Sequence, residues 1–191
     1  MIGSRPRNPP RRIPPPVVGH AIKDIQLTNE KIKKIDWTPK WDGGAPMPQV
    51  FSNGQKIFLI YLVADWDEKS IKEFQELETG NGQAEYLALV EFVGHTFRFG
   101  IANDEVFQGL PYYEQGLDWA HFIENSNWIE EIKQIHKIHP YYKESRWTNL
   151  NHYLLLFKDE ILEVIGTDFK IEIFRTDYSR LGQEILKRMN E

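Results

Sequence analysis

The run IFLIYLV at Ile57–Val63 is apolar at every position. So short a run, rich in β-branched and aromatic residues, predicts a strand buried on both faces. Asn53-Gly54 just before it is a tight-turn signal. A different pattern follows at Thr96–Ile101, where Phe97, Phe99 and Ile101 alternate with Thr96, Arg98 and Gly100. That period of two marks a half-exposed strand. With the apolar stretch Tyr86–Val93 it predicts a hairpin turning at Gly94-His95. Towards the C-terminus, His152–Phe157, Ile161–Gly166 and Phe169–Phe174 predict a three-stranded antiparallel meander, with turns at Lys158-Asp159-Glu160 and Gly166-Thr167-Asp168.

A period near 3.6 is strong in two places. Asn125-Ser126-Asn127 is a dense N-cap signal, and Glu130 and Glu131 fall in the first turn, where the helix dipole favours acids. Trp128, Ile129, Ile132, Ile135 and Ile138 then predict a helix with one buried stripe, ended by Pro140. The last segment, Tyr178–Met189, presents Leu181, Ile185 and Met189 after a Thr176 or Asp177 cap. Two weaker helical patterns precede these. Thr28 caps one that carries Ile32 and Ile35 and stops at Pro39; Ile71, Phe74 and Leu77 make the other, ahead of Gly80-Asn81-Gly82.

About six strands, mostly antiparallel, with two main helices inserted and appended, define an α+β class rather than a βαβ alternation. Without an internal repeat or a second core, residues 21–191 are expected to form a single domain. Residues 1–20 contain Pro6, Pro9, Pro10, Pro14, Pro15 and Pro16. Proline removes backbone donors and fixes φ, so a disordered tail with polyproline II stretches is expected there. Such a tail is either a plain leader or a docking peptide for an aromatic-lined groove.

Composition narrows the classes of function. A chain of 191 residues with 41% hydrophobic and 13% aromatic side chains can bury a real core. The absence of cysteine excludes a disulfide framework, a thiolate zinc site and a cysteine nucleophile, and suits a reducing, cytoplasmic setting. No apolar run approaches the roughly 18 residues of a membrane-spanning helix, and prolines stand where a signal peptide needs its apolar region. No membrane association is expected. The net charge of −5 is uneven: the first twenty residues hold four of the 23 basic side chains and none of the 28 acids, giving +4 there and −9 in the remainder. Phosphate binding needs a clustered positive surface, so no nucleic-acid partner is expected of this acidic body.

Several stretches carry a resemblance: WTPKWDGGAP from Trp37, FSNGQKIFLIYLV from Phe51, ALVEFVGHTFRFGIANDEVFQGLP from Ala88, IENSNWIEE from Ile123, IHKIHPYY from Ile135 and HYLLLFKDEILEVIG from His152. Over about residues 37–174 the chain resembles a family of uncharacterised, mostly bacterial proteins with no established activity. The resemblance implies one intact domain and carries over no catalytic residue, cofactor or substrate.

The most chemical-looking set is His136, His139 and His152 with Asp104, Glu105, Asp159 and Glu160. His136 and His139 stand three apart on a helix, so both imidazoles can face one way. With His152 folded back beside them they would suit zinc or another divalent metal, which could polarise a water for hydrolysis. Against this, no HExxH occurs, and a histidine in a last helical turn is favoured by the dipole alone. Asp104 and Glu105 are candidates for acid–base work, but neighbours on a strand point apart, and a cap on a turn or on a helix beginning at Val106 is the better reading for one of them. No G-x-S-x-G elbow, phosphate loop or dinucleotide fingerprint is present, and Ser126 reads as a cap.

The remaining feature is aromatic. Trp37, Trp41, Tyr112, Tyr113, Trp119, Tyr141, Tyr142 and Trp147 lie mainly in loops or at element ends. Rigid rings in such places form either a recognition surface or a cover for an open sheet face. The leading expectation is a non-enzymatic binding module that recognises a protein partner or small ligand through these rings and needs no cofactor. The alternative is a small metal-dependent hydrolase built on the histidines. A third reading is an accessory or immunity-type protein that neutralises a basic partner through the acidic body. Oligomeric state is left open by the pattern.

Overall fold

The computed structural model describes residues 29–65, 67, 70–100 and 102–191. The proline-rich segment 1–20 and the Thr28 cap lie outside the described residues. The expected α+β architecture is present, with eight strands rather than about six in one sheet. In chain order these are β1 (Lys31–Lys34), β2 (Gln49–Ser52), β3 (Lys56–Leu62), β4 (Gln75–Glu76), β5 (Glu85–Gly100), β6 (Ala120–Glu124), β7 (Asn151–Leu156) and β8 (Ile161–Thr176). The sheet order is β1-β6-β7-β8-β5-β3-β2, antiparallel throughout, with the short β4 pairing parallel to β8. Two helices, α1 (Asn127–His136) and α2 (Tyr178–Met189), complete the fold. Among the described residues no helix is long and apolar enough to cross a membrane.

Two predicted hairpins are instead two long strands. β5 runs without a turn through Gly94-His95, and β8 through Gly166-Thr167-Asp168. The partners Val93↔Asp168, Gly94↔Gly166 and Thr96↔Ile165 leave Thr167 and His95 each without an opposite residue. Each strand thus carries one extra residue, a β-bulge that bends it and shifts its side-chain alternation by one. On β5, Ala88, Val90 and Phe92 face the central core, and beyond the bulge Phe97 does; on β8 the sequence is Leu162 and Val164, then Phe169, Ile171 and Ile173. The bulges keep one face apolar through the bend.

That bend curls the sheet onto its own inner face. β3 and β7 stand three places apart, roughly 14 Å in a flat sheet. The rings of Tyr61 on β3 and Phe157 just after β7 nevertheless lie 6.2 Å apart. Trp41 fills the space between, 5.7 Å from Tyr61 and 4.5 Å from Phe157. The strand β3 is buried on both faces as its composition predicts: Ile57, Leu59 and Tyr61 point to the central core, while Phe58 and Ile60 meet α2 through Leu181 and Ile185. Asp177 caps α2, its Oδ1 accepting the Arg180 amide at 2.7 Å and its Oδ2 the Gly82 amide at 2.9 Å. These backbone donors hold its carboxyl below the usual range.

Three weaker sequence readings are corrected. The segment with Ile32 and Ile35 is the strand β1 and not a helix, because Lys31–Lys34 pairs antiparallel with β6 and Ile32 packs beside Tyr112 and Ile123. Ladder pairing outweighs a weak helical pattern of this length. The Ile71, Phe74 and Leu77 pattern resolves into one 3-10 turn and β4. On α1 only Trp128 of the predicted stripe is buried; Ile135 is 60% exposed, and Ile138, beyond the helix end, is 89% exposed.

Candidate functional site

The eight rings singled out from sequence do not make one surface. Trp37 and Trp41 belong to the central core, where the Trp37 Nε1–H donates to the Tyr61 hydroxyl at 3.0 Å. Tyr112 is buried under the 102–117 loop, where burial and the nearby Glu30 carboxylate push its hydroxyl well above the ordinary range. It therefore stays a donor, to Glu30 Oε2 at 3.4 Å. Trp119 is half-buried against Trp41, and Tyr113 is exposed on a 3-10 turn. The loops carrying these rings fold inward to close the ends of a curled sheet. Of the eight, Tyr141, Tyr142 and Trp147 share a cleft.

That cleft, of about 210 Å³, lies where α1 ends against the β5 bulge, and is lined by His95, His136, His139, Tyr141, Tyr142, Lys143, Arg146 and Trp147. The bulge residue His95 stacks on Trp147 with centroids 6.2 Å apart, and His136 tilts over the same indole at 5.1 Å. His136 Nδ1 donates to the Ile132 carbonyl at 2.9 Å, which leaves Nε2 as a free acceptor. His139 Nδ1 accepts the Tyr141 amide at 3.1 Å, which puts its proton on Nε2. The cleft therefore offers rings, an imidazole donor, an imidazole acceptor and two exposed cations.

The third predicted metal ligand is elsewhere. His152 is buried on β7, its Nδ1 2.8 Å from Ser126 Oγ and its Nε2 3.1 Å from Glu163 Oε1 on β8. Its ring packs edge-on to Trp128. Asp104 and Glu105 are exposed on a 3-10 turn. Among the described residues no group of three histidine or carboxylate side chains is placed to hold a metal ion.

The Ser126–His152–Glu163 chain was not visible as a unit in the sequence. Ser126 is the N-cap the Asn-Ser-Asn run predicts, its Oγ accepting the Ile129 amide at 3.1 Å. Glu163 is held by Arg98, whose Nη1 is 3.9 Å from its Oε2 and whose guanidinium lies 4.0 Å over the Trp128 ring. Ser126 and His152 line a cleft of about 1210 Å³ between β1 and the start of α1. Glu30, also in that cleft, accepts the Asn127 amide through Oε1 at 2.6 Å. Cross-strand position is what joins His152 to Glu163: Leu154, not His152, stands opposite Glu163, so the pair meets diagonally across β7 and β8. No family model, no curated protein and no solved structure matches this chain.

Proposed function

We propose that this chain is a binding module that recognises an acidic, partly apolar peptide segment through the ring-lined cleft at the end of α1. The observation that carries the reading is the make-up of that cleft. It presents three imidazoles, Lys143, Arg146, two tyrosines and Trp147, and none of its lining residues is a carboxylate. This stands out on a body that carries −9 beyond residue 20. Rigid rings give contact area at small entropic cost, and the cations complement a carboxylate. Beside the cleft Ile138 and Tyr141 are 89% and 80% exposed, which supplies an apolar rim for a large side chain.

The test uses short synthetic peptides that alternate acidic with large apolar residues, and basic peptides of the same length, followed by fluorescence anisotropy. Acidic peptides are expected to bind and basic ones not. Trp147→Ala and the pair Lys143→Glu with Arg146→Glu should each weaken binding at least tenfold, about 1.4 kcal/mol, without lowering the melting temperature. Failure of the acidic peptides to bind, or equal binding by the variants, would sink the reading.

A further inference from the structure

The Ser126–His152–Glu163 chain plays no part in that cleft, yet it has the polarity of a base-activated hydroxyl. The Glu163 carboxylate can only accept, so the His152 proton sits on Nε2 and its Nδ1 accepts the Ser126 hydroxyl. We infer that Ser126 is a nucleophile for acyl transfer, with His152 as its general base and acid and Glu163 as a positioning residue.

Four further features converge on this assignment. Ser126 and His152 both line the 1210 Å³ cleft, the serine 8% exposed at its wall and the imidazole behind it 1%. The serine stands at a strand–turn–helix junction, between β6 and α1, and the turn holds Asn125 at φ 56°. The Ile129 amide uses one lone pair of Ser126 Oγ and leaves the other for attack. In the first turn of α1, Asn127 N–H goes to Glu30 Oε1 and Ile129 N–H to Ser126 Oγ; with those two amides engaged, the Trp128 amide between them is the first-turn donor assigned to an oxyanion.

In the reaction, Ser126 Oγ bonds to the carbonyl carbon of an ester while its proton passes to His152 Nδ1. Glu163 holds the resulting imidazolium through Nε2–H, with Arg98 fixing Glu163. The ester C–O bond then breaks, and the departing alkoxide takes the proton from Nδ1. Water repeats the sequence on the acyl-serine, releasing the carboxylic acid and restoring Ser126. Glu30 lies within the same cleft, so the acyl group that fits carries no negative charge.

The test treats the full chain with a fluorophosphonate probe and with p-nitrophenyl acetate, followed by intact-mass and peptide-mapping mass spectrometry. One adduct per chain is expected, on the peptide containing Ser126. Ser126→Asn keeps a capping side chain and removes the nucleophile, so it should melt like the parent and lose the adduct. His152→Asn and Glu163→Gln should slow labelling at least tenfold. Glu163→Gln should also displace the pH dependence of labelling, which a merely structural role would not do. No adduct, an adduct at another residue, or undiminished labelling of Ser126→Asn would overturn the assignment.

Discussion

His121 is 1% exposed on β6. Its Nε2 accepts the Asp118 amide at 3.3 Å, so its proton sits on Nδ1, which has no partner among the described residues. Burial pushes its pKa below the ordinary 6.5; Asp118 opposes this and Lys34, ion-paired to Asp118, adds to it. The unfolded chain therefore takes up a proton near pH 6.5 that the native state refuses. Stability contributed by neutral His121 is present above 6.5 and is lost as pH falls towards the depressed native value. The melting temperature should drop between pH 7.5 and 5.5, and by less in His121→Leu; an unchanged drop would place its cause elsewhere. At this scale the Ser126 cap was legible, because capping is local chemistry. The partners of His152 were not: Glu163 reaches it through strand register, which no spacing in the sequence reveals. Trp37, Trp41 and Tyr112 were misjudged for a similar reason, since a ring in a loop carries no signal for which way the loop folds.

At the scale of elements, the strong periodicities located α1, α2, β3 and β7 closely; the weak helical patterns at Ile32 and Ile71 failed, and so did the turns read at the two bulges. Gly94-His95 and Gly166-Thr167-Asp168 have the residue types of turns, and a glycine cannot tell a turn from a close approach of two backbones. Here it is the latter. A Cβ on Gly166 would lie 2.7 Å from the Val93 carbonyl oxygen, which belongs to a paired backbone with nowhere to go. A Cβ on Gly94 would meet Ile57 Cδ1 at 2.5 Å, the free end of a side chain that can rotate aside. Gly166→Ala is expected to cost about 2–4 kcal/mol and Gly94→Ala about half that or less. Urea unfolding of the two variants checks the order; equal losses would mean that the strand crossing is not rigid at Gly166.

For the whole molecule, the alternation patterns implied an antiparallel α+β fold but not the curl that gives it one core. Trp41, Tyr61, Phe92, Tyr153, Phe157 and Phe169 join the two halves of the bent sheet in a single aromatic cluster. If that cluster holds the halves together, neither half keeps its inner face covered once the other opens, and unfolding must be one event. Thermal melts followed by tryptophan fluorescence and by far-UV circular dichroism are therefore expected to coincide. Tyr61→Phe sharpens the test. Its hydroxyl accepts the Trp37 Nε1–H at 3.0 Å and donates to the Pro39 carbonyl at 2.8 Å, both in the interior. Removing it leaves a buried donor and acceptor unmatched, at a cost of about 1–3 kcal/mol. Both probes should shift down together in the variant. Should they separate, in the parent or in Tyr61→Phe, the halves fold as separate units and the aromatic cluster is a contact between them, not their common core.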